Sequence, residues 1–125
     1  MSYRNRQAGH KWERDLAKMF RNLNYPHVVT TRSESKSRDN QGIDLMNKDE
    51  RKNGQFPFNV QAKCTTRTLN YPKLLDELPK EEGIINVVLH RYTAKAETKF
   101  MVTGEYAILT LEDFIKLIKG DVTIN

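Results

Sequence analysis

Near the N-terminus the apolar positions fall at helical spacing. Trp12, Leu16, Met19, Phe20 and Leu23 draw one stripe, which predicts a helix from about Gln7 to Asn24. Asn24-Tyr25-Pro26 ends it, because the residue before a proline disfavours helical backbone. The pattern then changes. His27 to Arg32 (HVVTTR) is β-branched and reads as a strand, and Ser33 to Gly42 (SESKSRDNQG) as a polar loop or irregular hairpin end. Ile43 to Asn47 (IDLMN) is a short strand, and Lys48 to Gln55 a solvated turn. Phe56 to Lys63 (FPFNVQAK) alternates, with Phe56, Phe58, Val60 and Ala62 on one face and Gln61 and Lys63 on the other.

Tyr71 to Leu78 has the pattern of a short amphipathic helix stopped by Pro79. Ile84 to Tyr92 (IINVVLHRY) is mostly apolar and β-rich, as expected of a central strand buried on both faces. Lys99 to Thr103 and Glu105 to Leu109 predict two shorter strands, or a hairpin around Gly104. The last helix opens at Thr110-Leu-Glu-Asp113, a capping-box-like start with Asp in place of Glu. Leu111, Phe114, Ile115, Leu117 and Ile118 form its apolar face, Lys116 and Lys119 suit its negative end, and Gly120 stops it. The order is helix, three strands, helix, strands, helix. It predicts one α/β domain over residues 1–125, a mixed central β-sheet flanked by helices.

Charge adds a direction. The 21 basic and 16 acidic side chains leave a net +5, with a pI near 9.4. The excess is uneven: +5 over residues 1–40, +2 over 41–80 and −2 over 81–125. A basic face meeting a polyanion is one reading, with nucleic acid first; a few surplus lysines on an ordinary domain is the other. A single cysteine, Cys64, excludes an internal disulfide framework and a cysteine-based zinc site, and His10, His27 and His90 show no zinc spacing. No apolar run approaches the roughly 20 residues of a membrane span, and the N-terminus lacks the apolar stretch of a signal peptide. The expectation is a cytoplasmic protein with no membrane partner.

Three short pieces carry candidate chemistry: Glu13 on the first helix, Asp44 in Gly42-Ile43-Asp44-Leu45, and Gln61-Ala62-Lys63 on the following strand. Asp44 stands among apolar neighbours at a strand start, where a carboxylate is expensive unless something binds it. Gln61 and Lys63 lie two apart and share a strand face; a hairpin would bring Asp44 beside them. Glu13 follows Trp12 at the border of the apolar stripe, in reach of the sheet. Glu13 and Asp44 offer hard anionic oxygens suited to Mg²⁺, or Mn²⁺, and Gln61 a neutral carbonyl oxygen. Lys63 would stabilise charge on a scissile phosphate or orient the attacking water. Taken singly, Glu13 is also what a solvated helix residue looks like, Asp44 a turn residue, and Lys63 a snorkelling edge lysine.

At these residues the sequence resembles the PD-(D/E)XK nuclease superfamily, and within it the archaeal-type Holliday junction resolvases and related phage nucleases. The resemblance covers about residues 6–65: Gly9-His-Lys-Trp-Glu13 on the first helix, Arg32-Ser33, the hydrophobic-Asp motif at Asp44, and the x-K strand at Lys63. Two departures stand out. Ile43 replaces the proline usual before the motif aspartate, and Gln61 the usual acidic residue, as in Mrr-like restriction endonucleases with Q-x-K. Gln61 removes one negative charge from the metal site.

The resemblance implies a restriction-endonuclease-like fold and a Mg²⁺-dependent endodeoxyribonuclease acting on branched DNA, with Glu13, Asp44, Gln61 and Lys63 as catalytic residues and the first three as metal ligands. It also implies a homodimer, joined through the final helix or the Ile84–Tyr92 edge. The alternatives are a nuclease acting on ordinary duplex, and a nucleic-acid-binding module of this fold without activity. Arg4, Arg6 and Lys11 would form a basic arm on DNA phosphates. Arg32, Ser33, Ser35, Lys36 and Arg38 would form a basic loop beside the site, and Arg67 and Lys73 would extend the phosphate track. These residues make a phosphate-gripping rim around a small acidic pocket. Such binding weakens steeply with salt and has little sequence preference.

Overall fold

The computed structural model describes residues 3–48 and 56–124, so most of the Lys48–Gln55 turn lies outside the described residues, as do the Arg4 and Ser33 side chains. The elements are α1 (Tyr3–Asn22), β1 (Val28–Thr30), α2 (Thr31–Glu34), α3 (Lys36–Asn40), β2 (Leu45–Asn47), β3 (Phe58–Thr65), α4 (Tyr71–Asp76), β4 (Ile85–Ala96), β5 (Lys99–Ile108) and α5 (Leu111–Lys119). The strands form one five-stranded mixed sheet in the order β1-β2-β3-β4-β5, flanked by helices. Neighbours are antiparallel except β3 and β4, which run parallel and are joined through α4.

The alternation along β3 sets the two sides of this sheet. Phe58, Val60, Ala62 and Cys64 meet Trp12, Leu16 and Ala17 of α1, together with Val28, Leu45 and Val87. Phe20, Tyr25, Phe56 and Phe58 interlock as edge-on aromatic pairs at one end of this core. Two long-range contacts pin α1 across the sheet. The Trp12 indole N–H donates to the Leu89 carbonyl at 3.0 Å, and the Arg91 guanidinium lies 4.2 Å over the Trp12 ring while bridging Asp15 and Glu105. Gln61, Lys63 and His90 face the opposite side, where Tyr71 of α4 covers His90.

Several expectations are corrected. Met19 and Leu23 are exposed, so the buried stripe of α1 is narrower than the periodicity drew it. The helix stops at Asn22 because Asn24 adopts a left-handed φ of +73° and lets the Tyr25 N–H turn back to the Phe20 carbonyl at 3.1 Å. The strand read as His27–Arg32 spans only Val28–Thr30; its last two residues, Thr31 and Arg32, open α2, which runs on into the stretch read as loop, and that stretch also holds α3, capped by the Ser35 hydroxyl accepting the Arg38 N–H. β3 and β4 run on to Thr65 and Ala96. Lys99–Ile108 is one strand, so Gly104 lies inside β5 and not in a turn. β4 pairs with β3 over Ile85–Tyr92 and with β5 over Val88–Ala96, so it is an inner strand and not a free Ile84–Tyr92 edge; the edges of the sheet are β1 and β5. The apolar face of α5 is open, with Leu111 72% and Ile118 70% exposed.

Candidate functional site

The site forms where β2 and β3 part. They share one register pair, Leu45 with Val60, and the Asp44 N–H still donates to the Val60 carbonyl at 2.8 Å. Two residues further along β3, the Ala62 N–H has no β2 ladder partner and instead donates to Asp44 Oδ2 at 2.7 Å. A side-chain carboxylate has replaced a ladder partner, which holds Asp44 beside the Gln61-Ala62-Lys63 segment. Two features shape the approach to it. Thr31, fully buried, donates its hydroxyl to the Ile43 carbonyl at 2.6 Å. Gly42 has a φ of +80°, and a Cβ there would stand 3.2 Å from Gln61 Nε2, so a glycine serves both the turn and the Gln61 side chain.

Gln61 is buried, and its Oε1 is a buried side-chain oxygen with no hydrogen-bond partner among the described residues. Such an orphan is costly and needs an explanation. Burial pushes the Asp44 carboxyl up to about 7, against the pull of the Ala62 N–H. The Glu13 carboxylate raises it further, Lys63 lowers it and Asp39 raises it, so these charges act on one point. Glu13 is buried at the sheet side of α1, and Arg32 Nη2 donates to both its oxygens, at 2.9 Å and 3.1 Å. That bond, more than any other interaction, holds the Arg32 guanidinium in its charged form.

The structure therefore brings Glu13, Asp44, Gln61, Lys63 and Arg32 to one region of the sheet. Among the described residues no three His, Cys, Asp or Glu form a metal-holding group; the donors are two carboxylates and an amide oxygen. An unpartnered amide oxygen and a carboxyl driven toward neutrality by burial are both relieved by a bound cation, so the donor set fits a hard divalent ion. Asp39, on α3, was not singled out from sequence because it lies in a stretch read as loop.

The other predicted cations are spread out. Lys11 pairs with Asp15 at 2.8 Å, Arg6 and Lys36 are exposed, and Arg38 is half-buried. Arg67 and Lys73 are exposed after β3. A groove of about 630 Å³ lies away from this cluster, between the start of α1 and the β4–β5 turn. Its lining includes His10, Lys11, Arg14 and Lys99, of which sequence reasoning named only Lys11 as a phosphate contact. His90 on β4 is fully buried: its Nε2 meets the Thr65 hydroxyl at 2.7 Å and its Nδ1 the Tyr71 hydroxyl at 2.8 Å. No helix among the described residues is long and apolar enough to cross a membrane. Comparison with family models, curated proteins and solved structures yields no match.

Proposed function

We propose that this chain is a metal-dependent endodeoxyribonuclease of restriction-endonuclease-like fold, acting on branched DNA in the cytoplasm. The observation that carries the reading is the buried Gln61 Oε1, without a hydrogen-bond partner among the described residues, on the strand whose next residue, Ala62, donates its N–H to the Asp44 carboxylate, two residues before Lys63. Asp44 and Gln61, with Glu13, would hold Mg²⁺ or Mn²⁺, which when bound acidifies water and polarises a phosphoryl group. Lys63 meets the scissile phosphate and stabilises the negative charge that develops there. Arg32, half-exposed on Glu13, exchanges that carboxylate for a DNA phosphate when substrate arrives. The groove cations Lys11, Arg14 and Lys99 extend the phosphate contact.

Two copies act together in this reading. The support is α5, whose Leu111, Phe114, Ile115 and Ile118 stripe faces solvent. Its first turn is acidic (Glu112, Asp113) and its last turn basic (Lys116, Lys119). Antiparallel packing on a second α5 sets each acidic turn beside a basic one and opposes the helix dipoles.

The test is cleavage of four-way junction, duplex and single-stranded DNA with Mg²⁺ by the wild type, Asp44→Asn and Lys63→Ala. Junction cleavage that falls at least about a hundredfold in both variants supports the reading. Undiminished cleavage by both variants sinks the site, and equal cutting of duplex and junction favours the duplex alternative. A non-catalytic binding module is the second reading, favoured by Gln61 and by the Arg32 clamp on Glu13. Binding without cleavage in either metal, with activity gained in Gln61→Glu, establishes that one.

A further inference from the structure

We infer that Tyr106 is a stacking platform for an unpaired nucleobase, two strands away from Lys63 on the same sheet face. The inference rests on the nucleic-acid reading above and deepens it, because it names the kind of substrate: a strand whose bases are not shut inside a duplex.

The register places the residues in one row. Lys63 of β3 lies opposite His90 of β4, and His90 opposite Tyr106 of β5. Two strand spacings of about 4.8 Å set the backbones of Lys63 and Tyr106 roughly 10 Å apart. A nucleic-acid strand whose phosphate meets Lys63 and which passes over Tyr71 and Tyr92, the rings that cover His90 in the middle of this row, carries a neighbouring base over Tyr106.

Gly104 shapes the platform. A Cβ at Gly104 would collide with the Tyr106 hydroxyl oxygen and stand 2.7 Å from two of its ring carbons. The ring therefore lies down over the bare glycine backbone, and does not stand off the sheet. This accounts for a glycine in the interior of a strand, where it is otherwise unfavourable. The residue stays 53% exposed. Its ring meets Tyr92 edge-on at 5.9 Å, Tyr92 leans on His90 at 4.1 Å, and His90 is locked by Thr65 and Tyr71. A flat, exposed aromatic braced in this way is pre-ordered, so little freedom is lost when a base settles on it. Lys63 on the row and Arg67 just beyond β3 supply the cations that accompany such platforms in single-strand binding. In a duplex the base faces are buried in the stack, so only an unpaired base can use this ring.

The experiment compares a fluorescein-labelled single strand with a duplex of the same length and sequence, both without divalent metal, against wild type, Tyr106→Ala, Tyr106→Phe and Gly104→Ala. Tyr106→Ala is expected to weaken single-strand binding about tenfold and to leave duplex binding within about twofold. Tyr106→Phe keeps wild-type affinity. Gly104→Ala keeps the ring but pushes it off its seat, and is expected to behave like Tyr106→Ala. A fluorescent adenine analogue in the single strand is quenched by wild type and Tyr106→Phe only. Unchanged single-strand affinity in Tyr106→Ala, or equal losses on both DNAs, overturns the platform while the nucleic-acid reading stands. A wild type that binds neither DNA overturns both.

Discussion

Arg32 Nη2 reaches both carboxylate oxygens of Glu13, so one half-exposed guanidinium neutralises a carboxylate that α1 has buried against the sheet. Removing the cation leaves a buried charge without its partner. Arg32→Ala is expected to lose about 1–3 kcal/mol in urea denaturation, reduced from a fully buried pair by the exposure of Arg32. Adding Glu13→Gln to Arg32→Ala should recover part of that loss, because the amide carries no charge. A double variant less stable than Arg32→Ala would show that the unpaired Glu13 charge is not what destabilises Arg32→Ala.

Asp44 sets a pH dependence with a definite sign. Its folded carboxyl sits at about 7, against an ordinary 3.8. Below about pH 4 both states hold the proton and nothing is lost. Between about 4 and 7 the folded chain keeps a proton that the unfolded chain has released, so stability falls as pH rises, by at most about 4 kcal/mol. Asp44→Asn should flatten this slope in thermal melts. At pH 8, Mg²⁺ should raise the wild-type melting temperature more than that of Asp44→Asn. Equal Mg²⁺ responses would place the cation elsewhere.

His90 acts in the opposite sense. Burial lowers its pKa below the ordinary 6.5. The unfolded chain takes up a proton below about pH 6.5 while the folded imidazole resists, so stability present above that pH is lost on acidification. His90→Phe should remove this acid-side slope, best read in an Asp44→Asn background. It should also lose about 2 kcal/mol at neutral pH, because the Thr65 and Tyr71 hydroxyls lose their ring-nitrogen partners. An acid slope that survives in the double variant would assign it to another group.

The open stripe of α5 predicts concentration-dependent association. Phe114→Glu and Ile118→Lys should each shift the chain toward monomer in sedimentation at micromolar concentration, with little change in the melting temperature of the monomer. Both side chains are exposed, so neither variant disturbs the core. A wild type that is monomeric under these conditions removes the dimer from the reading.

Much of the fold is legible in local patterns. The alternation of Phe56, Phe58, Val60 and Ala62 against Gln61 and Lys63 marks the two sides of β3, and Thr110 and Gly120 mark the ends of α5. These signals work because strand and helix periods repeat over a few residues. Less was legible where polar side chains serve local backbone. The Ser35 hydroxyl that caps α3 sits in a run with no apolar period, so that run reads as loop. Gly104 reads as a turn because its reason for being glycine is a ring two residues on.

Of the candidate site, local pattern sets the isolation of Asp44 among apolar residues and the shared face of Gln61 and Lys63. It also placed Glu13 at the border of a helical stripe. Those are properties of short windows, determined by the residues inside them. Tertiary structure alone decided that Arg32 clamps Glu13, that the Asp44 carboxylate takes the Ala62 N–H, and that Lys63, His90 and Tyr106 form one row. It also decided that the apolar face of α5 stays open while that of α1 is covered. The physical reason is distance along the chain. Which strand lies beside which, and which polar atom satisfies which, depends on contacts such as Trp12 with Leu89, 77 positions apart, whose geometry no local period encodes.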